Sequence, residues 1–343
     1  MQMDKYSPRQ LCALLWTALA APLVTVCSAV SWPWVLAAAA AAALLFYSIS
    51  LLARNLPAGL GAAPLFRMAW GKGAKWVGLL SWAWLTGAAS LAASMAVTAF
   101  PQDNAFPLIP AVLLILAAVA ASEGSAAACR FGATLFLAVA PLLALVLAFG
   151  AFGVEWEHLI PAGEPRDAVA PFAAMLLPGA AFFLRDGLTG RGTPWRRWFL
   201  LAAGLGAAVS VVCVGFLGRP LAEASANAFW YMSRSISVLG VMERFEAVIS
   251  AFLAISFCSL LSFLLTAAQK ALSAAAPEAV PKAAVWVTMA AAALGLWVVP
   301  RVPEWVWIVG NLLFWGFLPL VTLLVVHWKK IRKNSKNVLT NEE

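Results

Sequence analysis

The polar side chains best suited to chemistry lie between residues 230 and 246, in a chain with only 11% charged residues. They are Arg234, Ser237, Glu243, Arg244 and Glu246, and we call residues 230–246 the polar segment. Two of its acids are three residues apart, so they would share one helix face, with Arg244 beside them. This acid–base cluster predicts either a solvated cap whose acids favour a helix N-terminus or a coupling and assembly element.

Two proline positions could open helices toward a small ligand. They are Ala20-Ala21-Pro22 and Leu177-Pro178-Gly179. Proline removes an N–H and clashes with the preceding turn, so unwound backbone there would offer N–H groups to a carboxylate and C=O groups to an ammonium. At Pro22 alone, a kink that only shapes packing is favoured. At Pro178-Gly179 both interpretations stay open.

Hydroxyl side chains within apolar runs could complete such a ligand site. The candidates are Thr25, Thr86, Ser90, Ser256 and Ser259, although small residues also serve close helix packing in membranes. The sequence has no CxxC pair, no paired histidines and no phosphate-binding glycine loop. We therefore predict no metal site, no cofactor and no enzymatic activity.

The elements that must position these residues are hydrophobic helices. The chain is 63% hydrophobic with a mean hydropathy of +0.88, against about 45–50% apolar residues in soluble domains. A membrane helix needs about 20 residues, and barrel strands alternate over about 10. The sequence predicts an all-α polytopic membrane protein, a single transmembrane domain over residues 1–343, from ten runs: 10–29, 31–52, 74–99, 107–122, 127–153, 168–184, 196–217, 243–268, 283–299 and 305–327.

Basic residues predict the orientation. If every run crosses and the N-terminus is cytoplasmic, 18 of the 23 basic residues lie inside, as membrane proteins prefer. Both termini are then cytoplasmic, with a cytoplasmic tail at 328–343. The five basic residues outside are Arg166, Arg219, Arg234, Arg244 and Arg301. The net charge of +8 thus follows from topology, which argues against nucleic-acid binding.

Ten runs divide into two halves of five, residues 10–153 and 168–327. Because five is odd, the second half must enter the membrane from the opposite side, which predicts an inverted repeat. Prolines lie at matching places in the first and last run of each half: Pro22 with Pro178, and Pro141 with Pro319. Breaks in paired helices point to a binding site between the halves.

The polar segment also carries a family resemblance. Arg234-x-Ile236-Ser237 followed by Glu243-Arg244-x-Glu246 at the start of a long apolar helix resembles the spore germination permeases, the B subunits of GerA-type nutrient germinant receptors. The start Tyr6-Ser7-Pro8-Arg9-Gln10 is similar to the short segment before helix one in that family. Chain length and helix number agree as well.

This resemblance implies a transporter-like fold of the amino-acid permease (APC, LeuT-like) superfamily. It implies an amino acid or similar small nutrient bound near helices one, three, six and eight. It also implies a complex with an A subunit and a lipoprotein C subunit in the spore inner membrane. The alternative function is a secondary amino-acid transporter of a bacterial cell membrane.

Overall fold

The computed structural model describes residues 5–54, 56, 59–99, 108–160, 163–189, 195–225, 227–236, 245–278 and 280–339. These residues are almost entirely helical, and the β-structure among them is one isolated bridge between Tyr6 and Leu188. The α-helices are α1 Pro8–Cys27, α2 Trp32–Arg54, α3 Ala62–Trp70, α4 Ala74–Ala99, α5 Leu108–Ser122, α6 Ser125–Ala151, α7 Val169–Met175, α8 Trp195–Leu217, α9 Arg219–Ala224, α10 Ala228–Ser235, α11 Phe245–Ala275, α12 Pro281–Gly295, α13 Glu304–Asn311 and α14 Leu318–Leu339.

Within the described ranges, eight helical segments are long and apolar enough to cross a membrane. This confirms the predicted class of all-helical, polytopic membrane protein. Runs four and nine form the 15-residue helices α5 and α12, which at 1.5 Å per residue reach about 22 Å, less than the hydrocarbon thickness of about 30 Å. The count of ten crossings therefore stays a prediction.

Helix α1 begins at a capping box formed by the N-terminal segment. The Ser7 hydroxyl accepts a hydrogen bond from the Gln10 N–H, and the Gln10 side chain accepts one from the Ser7 N–H at 2.9 Å. Two N–H groups that a helix start leaves unpaired are satisfied in this way. The serine and glutamine of the N-terminal motif thus have a structural role.

The sixth run changes helix type at the predicted proline. Helix α7 ends at Met175, and a 3₁₀-helix follows from Leu177 to Gly187. The tenth run also changes type, because a π-helical segment, Leu312–Phe317, separates α13 from α14. By contrast, α1 continues through Pro22 as one helix, so Ala20-Ala21-Pro22 forms no unwound segment.

A hydroxyl from α11 enters the α1 backbone next to that proline. The Ser256 Oγ accepts a hydrogen bond from the Ala21 N–H at 2.8 Å and donates one to the Thr17 C=O. These two backbone groups are one helical turn apart and would pair directly in a regular α-helix. Ser256 therefore ties α11 to α1 at the point where Pro22 already weakens the helix.

Several helix pairs that pack together have a counterpart in which each run is replaced by the run five positions away in the chain. Helix α4, the third run, packs against α11, the eighth. Helix α1 packs on α6 (runs one and five), and α7 packs on α13 (runs six and ten). Helix α4 packs on α12 (runs three and nine), and α11 packs on α5 (runs eight and four). Likewise α1 packs on α8 and α7 on α2. Other contacts, such as α1 on α11 and α6 on α11, have no such counterpart among the main packing pairs of the described residues.

Candidate functional site

A cavity of about 200 Å³ lies among the first, third, sixth and eighth runs, near which the resemblance implied a bound nutrient. Helix α13 and the π segment Leu312–Phe317 of the tenth run complete its wall. The cavity is in the half of the bundle away from the N-terminus, because its walls come from the later residues of α1 and α4 and the early residues of the sixth and tenth runs. The lining residues are Pro22, Val26, Ala88, Leu91, Ala92, Met95, Ala170, Ala173, Ala174, Leu177, Leu260, Glu304, Trp307, Ile308, Asn311 and Trp315.

Two polar side chains stand out in this apolar wall. Asn311 is 6% exposed and Trp315 is 1% exposed, yet the Asn311 Oδ1 and the Trp315 Nε1 have no hydrogen-bond partner among the described residues. A buried polar atom without a partner costs about 1–3 kcal/mol. Both atoms have almost no accessible surface, so neither is exposed to the cavity.

The orientation of the Asn311 amide follows from its neighbour. Its Nδ2 lies 3.5 Å from the Ala173 carbonyl oxygen, near the end of α7. Because a carbonyl can only accept, the amide nitrogen must face it and the oxygen is left as a free acceptor. Asn311 thus connects the tenth run to the helix-type change in the sixth.

Trp315 is held in place by a close backbone approach. A Cβ at Gly179 would overlap the Trp315 carbonyl oxygen and lie 2.5 Å from the Trp315 Cβ. The π segment and the 3₁₀-helix can meet this closely only because residue 179 has no side chain. The Pro178-Gly179 pair therefore positions one wall of the cavity.

Aromatic rings pack the tenth run against α4. Trp84 of α4 stacks on Phe314 with ring centres 5.4 Å apart and an interplanar angle of 10°. It also contacts Trp307, again at 5.4 Å, and fits over Gly310, where a Cβ would overlap its ring. This packing fixes α13 against α4.

The cavity carries no ionisable side chain in its depth. Of its lining residues only Glu304 ionises, and that residue is exposed at the start of α13. The cavity can therefore hold a small, mostly apolar molecule. It offers no arrangement of nucleophile and base for catalysis.

The structure places the predicted ligand-binding residues in three groups: residues that line the cavity, residues bonded to backbone carbonyls, and other buried residues. Pro22 and Leu177 line the cavity. Four others bond to backbone carbonyls: Thr25 to Ala21, Thr86 to Trp82, Ser90 to Ala292, and Ser256 to Thr17. The remaining five, Ala20, Ala21, Pro178, Gly179 and Ser259, are buried, and the Ser259 hydroxyl has no partner among described residues.

Residues 237–244 of the polar segment lie outside the described residues. Arg234 is an exposed residue of α10, a short helix capped by the Asn227 side chain. Ser237, Glu243 and Arg244 lie outside the described residues, and of Glu246 only the helical backbone of α11 is described. The coupling role predicted for these five residues stays a prediction.

A polar cluster lies at the opposite end of the bundle. We call it the latch, and it consists of Tyr6, Ala53, Arg185, Asp186, Gly187 and Lys270. Lys270 of α11 forms an ion pair with Asp186 at the end of the 3₁₀-helix. Arg185 donates to the Ala53 carbonyl at the end of α2, at 2.9 Å. The Tyr6 N–H donates to the Gly187 carbonyl, also at 2.9 Å, and burial raises the pKa of the Tyr6 phenol.

A larger groove of about 650 Å³ lies between α2 and α8. Its walls include Leu36, Leu44 and Leu200, which are exposed on the outer face. Exposed leucines on membrane-spanning helices face lipid chains. The groove lies on the outer face of the bundle, so we take the smaller cavity among the helices as the candidate site.

The sequence analysis missed Asn311 and Trp315. A signal was present, because Asn311 is the only amide side chain in the interior of any of the ten runs. A polar group inside a membrane span is expensive and marks functional sites by default. The amide is neutral, so it does not stand out by charge.

No protein-family model matches this chain, and no curated protein matches it.

Proposed function

We propose that the chain binds a small nutrient, an amino acid or similar molecule, in the central cavity. The observation that carries the proposal is a cavity of about 200 Å³ with a largely apolar wall among the first, third, sixth, eighth and tenth runs. Ligand sites are concave, largely apolar and contain few polar groups. Binding, with no catalytic step, is what this site supports.

We propose a five-plus-five inverted repeat as the architecture around the cavity, with ten crossings and both termini cytoplasmic. The packing pairs that correspond between the halves support it. So do the connecting helices, since α3 lies between the second and third runs and α9 and α10 lie between the seventh and eighth. Repeats of this kind place their ligand between the halves.

Within this class, the resemblance favours a subunit of a spore nutrient germinant receptor in the spore inner membrane. The nutrient would bind in the cavity, and the polar segment would pass the signal to an A subunit and a lipoprotein C subunit. The support is the N-terminal motif and the polar segment. The Ser7–Gln10 capping box gives that motif a physical role.

The alternative is a secondary amino-acid transporter. It is favoured by the placement of the cavity and the latch at opposite ends of the bundle. A transporter opens one end while the other is closed, by moving one group of helices against the rest.

A binding assay tests the shared part of both proposals. The purified chain is screened against a panel of amino acids and similar nutrients by thermal shift, with Pro178→Ala as the control for the sixth-run wall. We expect at least one member to raise the unfolding temperature of the wild type and to act less on the variant. A panel without any effect contradicts the proposal.

Reconstitution separates receptor from transporter. Saturable, ion-coupled uptake into proteoliposomes by this chain alone would exclude the receptor function as its main role. Copurification from spores with a subunit carrying a large soluble domain and with a lipoprotein would support it. Pull-down of neither protein contradicts the receptor proposal.

A further inference from the structure

We infer that one end of the bundle carries a binding surface for phospholipids with anionic headgroups. We call it the basic surface. It is formed by the outward side of α3, the 3₁₀-turn Gly71–Gly73, the start of α4 and residues 328–330 of α14. Gly61, just before α3, packs on Asp186 of the latch, so the basic surface lies at the latch end of the bundle and is separate from the cavity.

Helix α3 is held in place by its inner side. Its buried residues are Ala62, Leu65, Phe66 and Ala69. The Phe66 ring packs edge-on against Phe183 of the 3₁₀-helix, with ring centres 5.9 Å apart. Arg67, Met68 and Trp70 are exposed. The helix therefore presents one basic and two large apolar side chains to its surroundings.

Two hydrogen-bonding contacts join α3 to α14. The Lys329 ammonium donates to the Met68 and Ala69 carbonyl oxygens, at 2.9 Å each. The last carbonyls of a helix have no partner within it, and a cation there is favoured by the helix dipole. The Trp70 indole N–H donates to the Thr322 hydroxyl oxygen at 3.2 Å. The basic end of α14 is thus fixed beside α3.

The positive charge of this surface is not balanced by acids in the part of the chain that the structure describes. Its exposed basic residues are Arg67, Lys72, Lys75, Lys329 and Lys330. None of them forms an ion pair with a described residue. Residues 62–76 and 318–340 contain no Asp or Glu, and Asp186 is already paired with Lys270. Like charges gathered on one surface repel one another, and a bound anion relieves that repulsion.

Exposed apolar side chains favour a lipid as the source of that anion. Trp76 and Trp328 are 70% and 59% exposed, and Met68 is 50% exposed. All three belong to segments long and apolar enough to cross a membrane. Tryptophan is typical of the headgroup level of a bilayer, and clusters of about four to eight basic residues next to a membrane helix bind anionic lipids. The phosphate would lie among the basic side chains and the acyl chains along the spans.

Native mass spectrometry of the purified full chain measures this preference. The chain is released from neutral detergent micelles that contain equal amounts of anionic phosphatidylglycerol and net-neutral phosphatidylcholine. We expect phosphatidylglycerol to bind at least tenfold more tightly, with a preference that falls as salt is added. Equal binding of the two lipids overturns the inference. Displacement of phosphatidylglycerol by free glycerol phosphate also overturns it, because the occupant would then be a soluble phosphate.

Paired variants assign the preference to this surface. Arg67→Gln/Lys72→Gln should weaken phosphatidylglycerol binding at least tenfold, because each basic residue near a membrane surface contributes roughly fivefold. Arg67→Lys/Lys72→Arg keeps the charge and should keep the binding. Arg130→Gln/Lys282→Gln removes the same charge from exposed residues of α6 and α12, which are outside the main contacts of α3 and α14. This control should change binding by less than twofold.

The outcomes are distinct. If both charge-removing variants weaken binding equally, the lipid responds to net charge and the inference fails. If the charge-keeping variant loses binding as fully as Arg67→Gln/Lys72→Gln, shape decides and the inference fails. If Arg67→Gln/Lys72→Gln leaves lipid binding unchanged, the inference also fails, and a loss of copurifying subunits in that variant would show that the surface docks a protein. None of these results alters the nutrient proposal, because the cavity lies at the other end of the bundle.

Discussion

At the residue scale, single atoms decide how the apolar helices meet. Ser256 bridges a weakened turn of α1, and the absent side chain at Gly179 lets the 3₁₀-helix reach the Trp315 backbone. Both residues were predicted to contact the ligand. In the structure they shape the helices around the cavity.

Gly179→Ala should destabilise the protein. The added methyl would overlap the Trp315 carbonyl oxygen, and overpacking of this kind costs about 1–3 kcal/mol. Gly204→Ala is the matched control, because a Cβ there meets no atom within 4 Å; it should be neutral or stabilising by up to about 1 kcal/mol. Unfolding in detergent, followed by size-exclusion chromatography, measures both. Equal stability of the two variants contradicts the close approach.

Ser256→Ala tests the hydroxyl that ties α11 to α1. Losing it removes a partner from two buried backbone groups, for which we expect about 1–2 kcal/mol of destabilisation. Ser259→Ala, three residues away, should be close to neutral because its hydroxyl has no partner among the described residues. The same unfolding assay applies, and an unchanged Ser256→Ala midpoint would show that α1 closes its own hydrogen bond.

Arg244→Ala tests the polar segment. We expect impaired assembly or signalling with nutrient binding retained, because the side chain is predicted just before α11, whereas the α11 residue that lines the cavity is Leu260, about four helical turns further along. Germination response and subunit pull-down measure the effect, with nutrient binding as the control. Assembly and signalling equal to the wild type would remove the coupling role.

At the element scale, the latch joins four segments of the chain at one end of the bundle. The N-terminal segment pairs with the residues after the 3₁₀-helix, while Asp186 and Arg185 reach α11 and α2. A Cβ at Gly61 would lie 2.8 Å from the Asp186 Cβ, so the loop before α3 also packs here. Opening this end would require all these contacts to separate.

A double-mutant cycle measures the ion pair of the latch. Asp186 and Lys270 are 33% and 29% exposed, so replacing them with Asn and Met should give a coupling energy of about 1 kcal/mol. The Glu123–Lys282 pair is 62% and 65% exposed, and its coupling should be smaller. Chemical unfolding of the four variants of each pair gives both values. A latch coupling no larger than that of the exposed pair contradicts its role in holding this end closed.

At the scale of the whole molecule, several packing pairs of the first five runs correspond to pairs of the last five, as the proposed inverted repeat requires. The third and eighth runs pack at the centre as α4 and α11, and the second and seventh pack as α2 and α8. The cavity and the latch lie toward opposite ends of this arrangement. A membrane orientation then decides which end faces the cytoplasm.

Cysteine labelling tests the orientation. Glu157→Cys and Glu278→Cys place exposed thiols in two different loops, in a chain whose five native cysteines are replaced by alanine. With a membrane-impermeant maleimide we expect residue 157 to react in intact cells and residue 278 only after permeabilisation, as basic residues inside require. The reverse pattern would invert the topology.

The sequence by itself determined the class of this protein and the positions of its helices. Long apolar runs can satisfy their backbone hydrogen bonds inside a bilayer only as helices, so composition and run length predict α1, α4 and α11 directly. The helix-type change at Pro178 follows in the same local way, from a missing N–H.

The tertiary structure decided the rest. Pro22 leaves α1 unbroken, with a hydroxyl from α11 bonded to its weakened turn, and only the packing of the tenth run against α7 leaves the Asn311 oxygen unpaired beside the cavity. Whether a polar group finds a partner depends on which neighbour it meets in the folded chain. For Asn311 that neighbour is Ala173, 138 positions away in the sequence.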